Sequence, residues 1–176
     1  SNWARKINAA DADIVNLHWV AGETLSISDI GKISKPLVWT LHDMWPFCGT
    51  EHYVDVDSSA RWSTGYTQGN RPATDSGIDL DRLFWKKKQR SWKQDIHIIC
   101  PSDWLASFAR NSSLFKDHSI SVIPNVLDTN IYKPLDKGFC REALNLPRDR
   151  KIILFGGHAI INDPRKGHDL LSESLQ

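Results

Sequence analysis

The chain is short of net charge and of long apolar runs, and each shortage excludes a class of protein. It has 22 lysine and arginine residues against 21 aspartate and glutamate residues, a net charge of +1. That balance argues against a basic nucleic-acid binder and against a polybasic membrane anchor. No apolar run is long enough to cross a bilayer, and no signal-peptide pattern is recognisable. We therefore expect a globular protein of the cytoplasm, without nucleic acid as a partner.

The chain also has few cysteines and lacks the glycine motifs of common nucleotide-binding folds. The cysteines are Cys48, Cys100 and Cys140, an odd number at spacings that fit neither a zinc site nor a disulfide framework. We expect reduced thiols and a cytosolic setting. No glycine pattern of the dinucleotide-binding or P-loop type is present, so a nucleotide site would have to be recognised by other features.

The residues that are present alternate between short apolar segments and helical patterns. Helical patterns include one with Ser28 as its cap and one that begins after the N-cap Ser102. This alternation predicts an α/β fold with a parallel, Rossmann-like sheet. The four expected strands are residues 14–20, 37–41, 96–100 and 120–123.

Polar residues stand where the first two strands end. His18 and Trp19 lie in the last part of the first strand, and His42 and Asp43 follow the second. Parallel strands present functional side chains at their carboxyl ends, so these residues are candidates for a site.

Residues 44–79 contain scattered aromatics, glycines and prolines without periodicity. A loop of this length is usually functional or disordered, and its aromatic content predicts an ordered, packed segment that overhangs the strand ends. The basic run at residues 85–93 fits a solvated helix face with two packed tryptophans better than a nucleic-acid or anionic-membrane contact.

A candidate phosphate site lies near the C-terminus. The apolar run at residues 152–155 predicts a buried strand that enters a turn at Gly156 and Gly157. Arg165 and Lys166 follow, just before another helical pattern. Flexible backbone, two cations and a helix N-terminus around one point would suit a phosphate.

The polar, proline-containing stretch after residue 125 predicts a domain boundary. We expect an N-terminal domain at residues 1–127, a linker with a short helix at residues 128–150, and the start of a second domain at residues 151–176.

Five motifs stand in order along nearly the whole chain. They are TLHDMW at 40–45, PSDWLA at 101–106, VIPNVLDTNIYKP at 122–134, ILFGG at 153–157 and DPRKGHDLL at 163–171. Together they resemble family 4 glycosyltransferases, especially bacterial enzymes that build exopolysaccharides. The resemblance implies a GT-B architecture of two Rossmann-like domains that face each other across a cleft. It also implies retaining transfer of a hexose from a UDP- or GDP-sugar to a glycan or lipid-linked acceptor, without a metal or other cofactor, and it leaves peripheral contact to the inner membrane face open.

The same resemblance implies roles for individual residues. Lys166 matches the lysine that neutralises the donor diphosphate, and Gly156 and Gly157 match the turn that lets backbone approach the donor. His42 matches the histidine near the transferring sugar, the catalytic candidate. The family's arginine after the glycine turn is replaced by His158 and Ala159, so Arg165 is the candidate to supply that charge.

The chain departs from the family at its ends. A complete enzyme of this class is roughly twice as long, and the family's first strand, its glycine-rich loop and its paired glutamates do not appear in this sequence. We expect a fragment with most of the N-terminal domain and the first strand and helix of the C-terminal domain, inactive by itself.

Two functions of other classes remain open. One is a phosphohydrolase with a metal pair at His42 and Asp43, which would need these residues on a helix with further ligands; the β-rich segment before them speaks against it. Cys48 and His52 lie close by and suggest a metal set, but their spacing is irregular. The other is a noncatalytic carbohydrate-binding or interaction module that uses exposed tryptophans. Structural alternatives also exist for the site residues: Arg165 and Lys166 as a solvated turn, and His42 as a histidine that only ends a strand.

Overall fold

The chain forms two compact units, Ser1–Val126 and Leu127–Gln176, which are described separately. The structure, a computed structural model, describes residues 2–20, 22, 24–54, 60–157, 160–161 and 163–175.

The first unit is built on a four-stranded parallel sheet. In the sheet Leu37 lies opposite both Val15 and Ile96, and Cys100 lies opposite Val122. The predicted α/β class with a parallel sheet is confirmed, although the outer strands are shorter than their apolar runs. The strands are β1 Val15–Leu17, β2 Leu37–Thr40, β3 Ile96–Cys100 and β4 Ile120–Val122, in the order β1-β2-β3-β4.

Helices connect the strands and cover one face of the sheet. Because each strand pairs with the next and parallel crossovers are right-handed, the connections return on the same side. Side chains therefore alternate: Trp39 and Ile98 are buried, whereas Val38 and His97 on the opposite face are half-buried. The helices are α1 Trp3–Ala9, α2 Ile27–Ile30, α3 Arg61–Thr64, α4 Leu80–Ser91 and α5 Asp103–Asn111.

The helix caps confirm one sequence prediction and correct another. Ser102 caps α5 by accepting a hydrogen bond from Leu105 N at 3.3 Å. The cap of α2 is Ser26, in a capping box with Asp29, so the prediction of Ser28 was wrong. An N-cap must be the extended residue just before the first helical one, and Ile27 already belongs to the helix.

Lys88 ties the loop after β2 to helix α4. Its side chain is fully buried, and its Nζ donates to the carbonyl oxygens of Trp45, Cys48 at 3.0 Å and Gly49 at 2.7 Å. The Nζ also lies 3.9 Å from the centroid of the Trp45 ring. The loop approaches the helix so closely that a Cβ on Gly49 would lie 2.6 Å from Cα of Asp81.

The basic run of α4 is thus only partly a solvated face. Trp85 and Trp92 are packed inside, as predicted, since each is 7% exposed. Lys88 was expected in solvent and lies in the interior instead, because three carbonyl groups of the loop accept its protons.

The contacts of Arg61 order the later part of the loop. The guanidinium of the buried Arg61 donates to Asp79 Oδ2 at 2.6 Å and to Asn70 at 3.2 Å, and it lies 4.6 Å from the ring centroid of Tyr66. Asp79 also caps α4 through Arg82 N. The described parts of the loop, residues 44–54 and 60–79, therefore form the packed segment that the sequence predicts.

The second unit contains helices but no strand among its described residues. The helices are α6 Lys137–Ala143, the short 3-10 helix Pro164–Lys166 and α7 His168–Ser174. The prediction of a buried strand at residues 152–155 was wrong: Leu154 is 93% exposed, and no hydrogen-bonded strand accompanies the segment. A strand needs a neighbour for its backbone groups, and the described part of this unit offers none. The predicted helix after Lys166 is present as α7.

In the described part of the chain, no helix combines the length and apolar character needed to span a bilayer.

Replacing Lys88 by methionine should lower the free energy of unfolding by on the order of 3 kcal/mol, because buried carbonyl groups lose their donor. Lys87→Met, an exposed position on the same helix, is the matched control and should change it by less than about 0.5 kcal/mol. Urea unfolding of the purified chain measures both. Equal stabilities of the two variants would contradict the described role of Lys88.

Lys88 should also make stability depend on pH. Burial lowers the pKa of Lys88 from 10.5 to about 7, against the opposing effect of the Glu51 and Asp43 charges. Between these values the unfolded chain holds a proton that the folded chain has lost, so the unfolding free energy rises with pH. Between pH 7 and 9, deprotonation of Lys88 should raise the free energy of unfolding by about 2 kcal/mol.

The pH effect is measured by comparing unfolding of the natural chain and Lys88→Met at several values from pH 7 to 9. The difference between the two unfolding free energies should widen as the pH rises. Parallel stability curves would contradict the prediction.

Candidate functional site

The carboxyl ends of β1 and β2 bring two histidines into contact. His18 follows β1 directly, and His42 follows β2 after Leu41. The strands are neighbours in parallel register, so both rings reach the same edge of the sheet. His18 Nδ1 lies 3.0 Å from His42 Nε2, and the ring centroids are 5.3 Å apart. The sequence placed both residues at strand ends; the structure adds that they are hydrogen-bonded to each other.

A polar chain extends from this pair back along the open face of the sheet. The Thr40 hydroxyl donates to Asn16 Oδ1 at 3.2 Å, and Asn16 Nδ2 lies 3.3 Å from His18 Nε2. With the Asn16 amide donating, His18 must donate through Nδ1 to His42, whose own Nδ1 then carries its proton. In this arrangement His42 offers a hydrogen-bond donor.

Asp43 organises the other half of the site. It is 7% exposed, and its Oδ2 accepts from the Trp19 indole at 3.0 Å and from His52 Nδ1 at 2.6 Å. Its Oδ1 accepts from Trp45 N at 3.1 Å. The Trp45 ring stacks on His52 with centroids 6.5 Å apart. Because these donors occupy both oxygens, Asp43 acts as a structural acceptor that fixes its neighbours.

These residues line a small cleft above the sheet. The sequence identified His18, Trp19, His42 and Asp43 through their place at strand ends, but it missed Asn16 and gave His52 only as a metal-ligand candidate. Along β1 and β2 the polar residues Asn16 and Thr40 alternate with buried residues, and this alternation could have identified Asn16. The cleft is lined by His18, Trp19, Val20, Trp39, Thr40, His42, Asp43, Trp45 and Pro46.

The described residues give little basis for a metal centre. No group of three or more histidine, cysteine, aspartate and glutamate side chains suitable for a metal occurs among them. His42 and Asp43 follow a strand, whereas the phosphohydrolase hypothesis needs them on a helix. Cys48 is fully buried, and burial raises its thiol pKa to about 12, which disfavours the thiolate that binds metals.

The phosphate candidates lie in the second unit. The Arg165 guanidinium donates to both carboxylate oxygens of Asp163, at 2.8 and 2.7 Å, and these bonds hold the Asp163 pKa below its usual value. Arg165 therefore already has an anionic partner. The Lys166 side chain reaches the glycine turn, because a Cβ on Gly157 would lie 3.9 Å from Lys166 Cδ. Gly156 is exposed beside it.

Two residues of the resemblance argument, His158 and Ala159, lie outside the described residues. His42 belongs to the first unit, and Gly156, Gly157, Arg165 and Lys166 belong to the second.

Comparison of the chain with protein-family models, curated proteins and solved structures finds no match. Membership of the glycosyltransferase family therefore stays a prediction from the motifs.

Cysteine reactivity provides a test of the packing around the site. Cys48 and Cys100 are fully buried, and burial raises their pKa values to about 12 and about 11, whereas Cys140 is partly exposed. At pH 8 an aromatic disulfide reagent should modify one thiol quickly in the folded chain and the others only on unfolding. Cys140→Ser should abolish the fast phase. Rapid modification of more than one thiol in the folded chain would show that Cys48 or Cys100 is accessible.

Proposed function

We propose that this chain is part of a retaining, metal-independent glycosyltransferase of GT-B type. Its substrates are a UDP- or GDP-hexose and a glycan or lipid-linked acceptor, and its setting is the cytoplasm, with peripheral contact to the inner membrane face. The observation that carries the proposal is the His18–His42 pair at the carboxyl ends of neighbouring parallel strands. In open α/β sheets, ligands bind beyond these ends.

The chemistry of the first unit fits a sugar better than a charged substrate. The imidazole of His42, with Nδ1 as donor, can bind a sugar hydroxyl. The described residues that line the cleft include no lysine or arginine to bind a phosphate. An acceptor hydroxyl or the transferred hexose suits this edge of the sheet.

The second unit supplies the cation that departure of a diphosphate needs. Breaking the sugar–phosphate bond places negative charge on the diphosphate, and a fixed ammonium stabilises it without a metal. Lys166 is exposed and lies beside the Gly157 backbone. Since Arg165 is bound to Asp163, we assign the main role to Lys166 and a minor one to Arg165.

A second candidate function rests on exposed aromatic surface. Trp19, which lines the cleft, is 56% exposed. A noncatalytic carbohydrate-binding module would use such a ring as a stacking platform and would have no need for a nucleotide.

Nucleotide binding tests the proposal. In ligand-observed NMR, UDP or GDP should bind the chain, and Lys166→Ala should weaken that binding at least about tenfold, since a charge-assisted hydrogen bond to phosphate is lost. Lys151→Ala, another exposed lysine of the second unit, is the matched control and should leave binding unchanged.

Two results would count against the transferase. Equal effects of Lys166→Ala and Lys151→Ala would remove the assigned phosphate site. Binding of free oligosaccharides without any response to UDP or GDP would favour the noncatalytic module.

A further inference from the structure

Trp19 combines an exposed ring with a fixed position. Although it is 56% exposed, its indole Nε1 donates to Asp43 Oδ2 at 3.0 Å. Asp43 is itself held by His52 at 2.6 Å. At the outer edge of the ring, a Cβ on Gly22 would lie 3.2 Å from Trp19 Cη2, so backbone closely approaches that edge. The hydrogen bond therefore fixes the indole before any ligand binds, and binding has less side-chain freedom left to remove.

The indole N–H of Trp19 already donates a hydrogen bond. Its single polar hydrogen is bound to Asp43, so the indole can offer a ligand only its aromatic surface. The other polar groups of the cleft are the imidazoles of His18 and His42 and the hydroxyl of Thr40. Among the described residues that line the cleft, Asp43 is the one carboxylate, and its oxygens accept from three donors.

We propose that Trp19 is the stacking platform for a pyranose ring of the acceptor. The apolar C–H face of the sugar lies on the indole, and its hydroxyls reach the hydrogen-bonding edge of His42. This inference rests on the proposed glycosyltransferase function and names where that enzyme binds its acceptor. The arrangement selects a neutral ring with one continuous C–H face and peripheral hydroxyls, which a lipid chain lacks and an anionic sugar matches poorly.

The experiment compares two equally exposed tryptophans. Trp104 on α5 is 54% exposed and contacts Phe108, with ring centroids 4.8 Å apart, but it does not line the cleft. The chain is labelled with ¹⁵N at the tryptophan indoles and titrated with methyl glycosides of glucose, galactose, mannose and N-acetylglucosamine. At least one glycoside should shift the Trp19 indole signal and leave that of Trp104 in place.

Variants then separate stacking from general surface effects. Trp19→Ala should weaken binding of that glycoside at least about tenfold, whereas Trp104→Ala should leave it unchanged. Trp19→Phe retains an aromatic face but loses the bond to Asp43, so its affinity should fall between those of the natural chain and Trp19→Ala. Thermal unfolding of each variant verifies that the fold is kept.

Three results would overturn the platform: no glycoside shifts the Trp19 signal, Trp19→Ala binds as tightly as Trp104→Ala, or UDP and GDP rather than glycosides depend on Trp19. Titration of the same samples with UDP and GDP distinguishes failure of the platform from failure of the proposed function. Nucleotide binding without glycoside binding removes only the platform. Glycoside binding at Trp19 without nucleotide binding retains the platform and removes the transferase.

Discussion

The interaction on which the first unit depends is the set of hydrogen bonds from the Lys88 side-chain nitrogen to the loop after β2. A polar group in an apolar interior is costly unless partners surround it, and here three backbone carbonyls and the Trp45 ring do so. These bonds fix the backbone at residues 45–49. Trp45 then stacks on His52, His52 binds Asp43, and Asp43 holds Trp19. Helix α4 thereby fixes a site whose residues all lie much earlier in the chain.

The direction of the strands sets the rest of the site. Since all four strands are parallel, their carboxyl ends share one edge, and the loop after β2 can cover that edge. The helices take one face of the sheet, so the polar residues of β1 and β2 remain on the other. Thr40 and Asn16 connect that open face with His18 and His42. His42, the catalytic candidate, and the polar chain that contacts it thus come from short, local segments on adjacent strands.

The second unit provides a different kind of site. Its cations lie on a turn, and the ion pair of Arg165 with Asp163 leaves Lys166 as the better candidate for an anion. The Lys166 side chain lies near the glycine turn, since a Cβ on Gly157 would be 3.9 Å from Lys166 Cδ. That the turn and the lysine bind one phosphate stays a prediction. If the proposed function holds, diphosphate binding belongs to this unit, and sugar recognition by His42 and Trp19 belongs to the first.

The sequence by itself determined the α/β class, four strands, the cap of α5, and the place of His18, Trp19, His42 and Asp43 at strand ends. Period-2 apolar patterns, capping residues and strand direction are local properties, which a linear pattern records. The tertiary structure alone decided that Lys88 is buried, that His18 contacts His42, that Asp43 is enclosed by donors, and that residues 152–155 form no strand. Each of these depends on which distant groups come within hydrogen-bonding distance: carbonyls for an ammonium, a second ring for an imidazole, a neighbouring strand for an extended segment. Spacing along the chain does not encode such proximity.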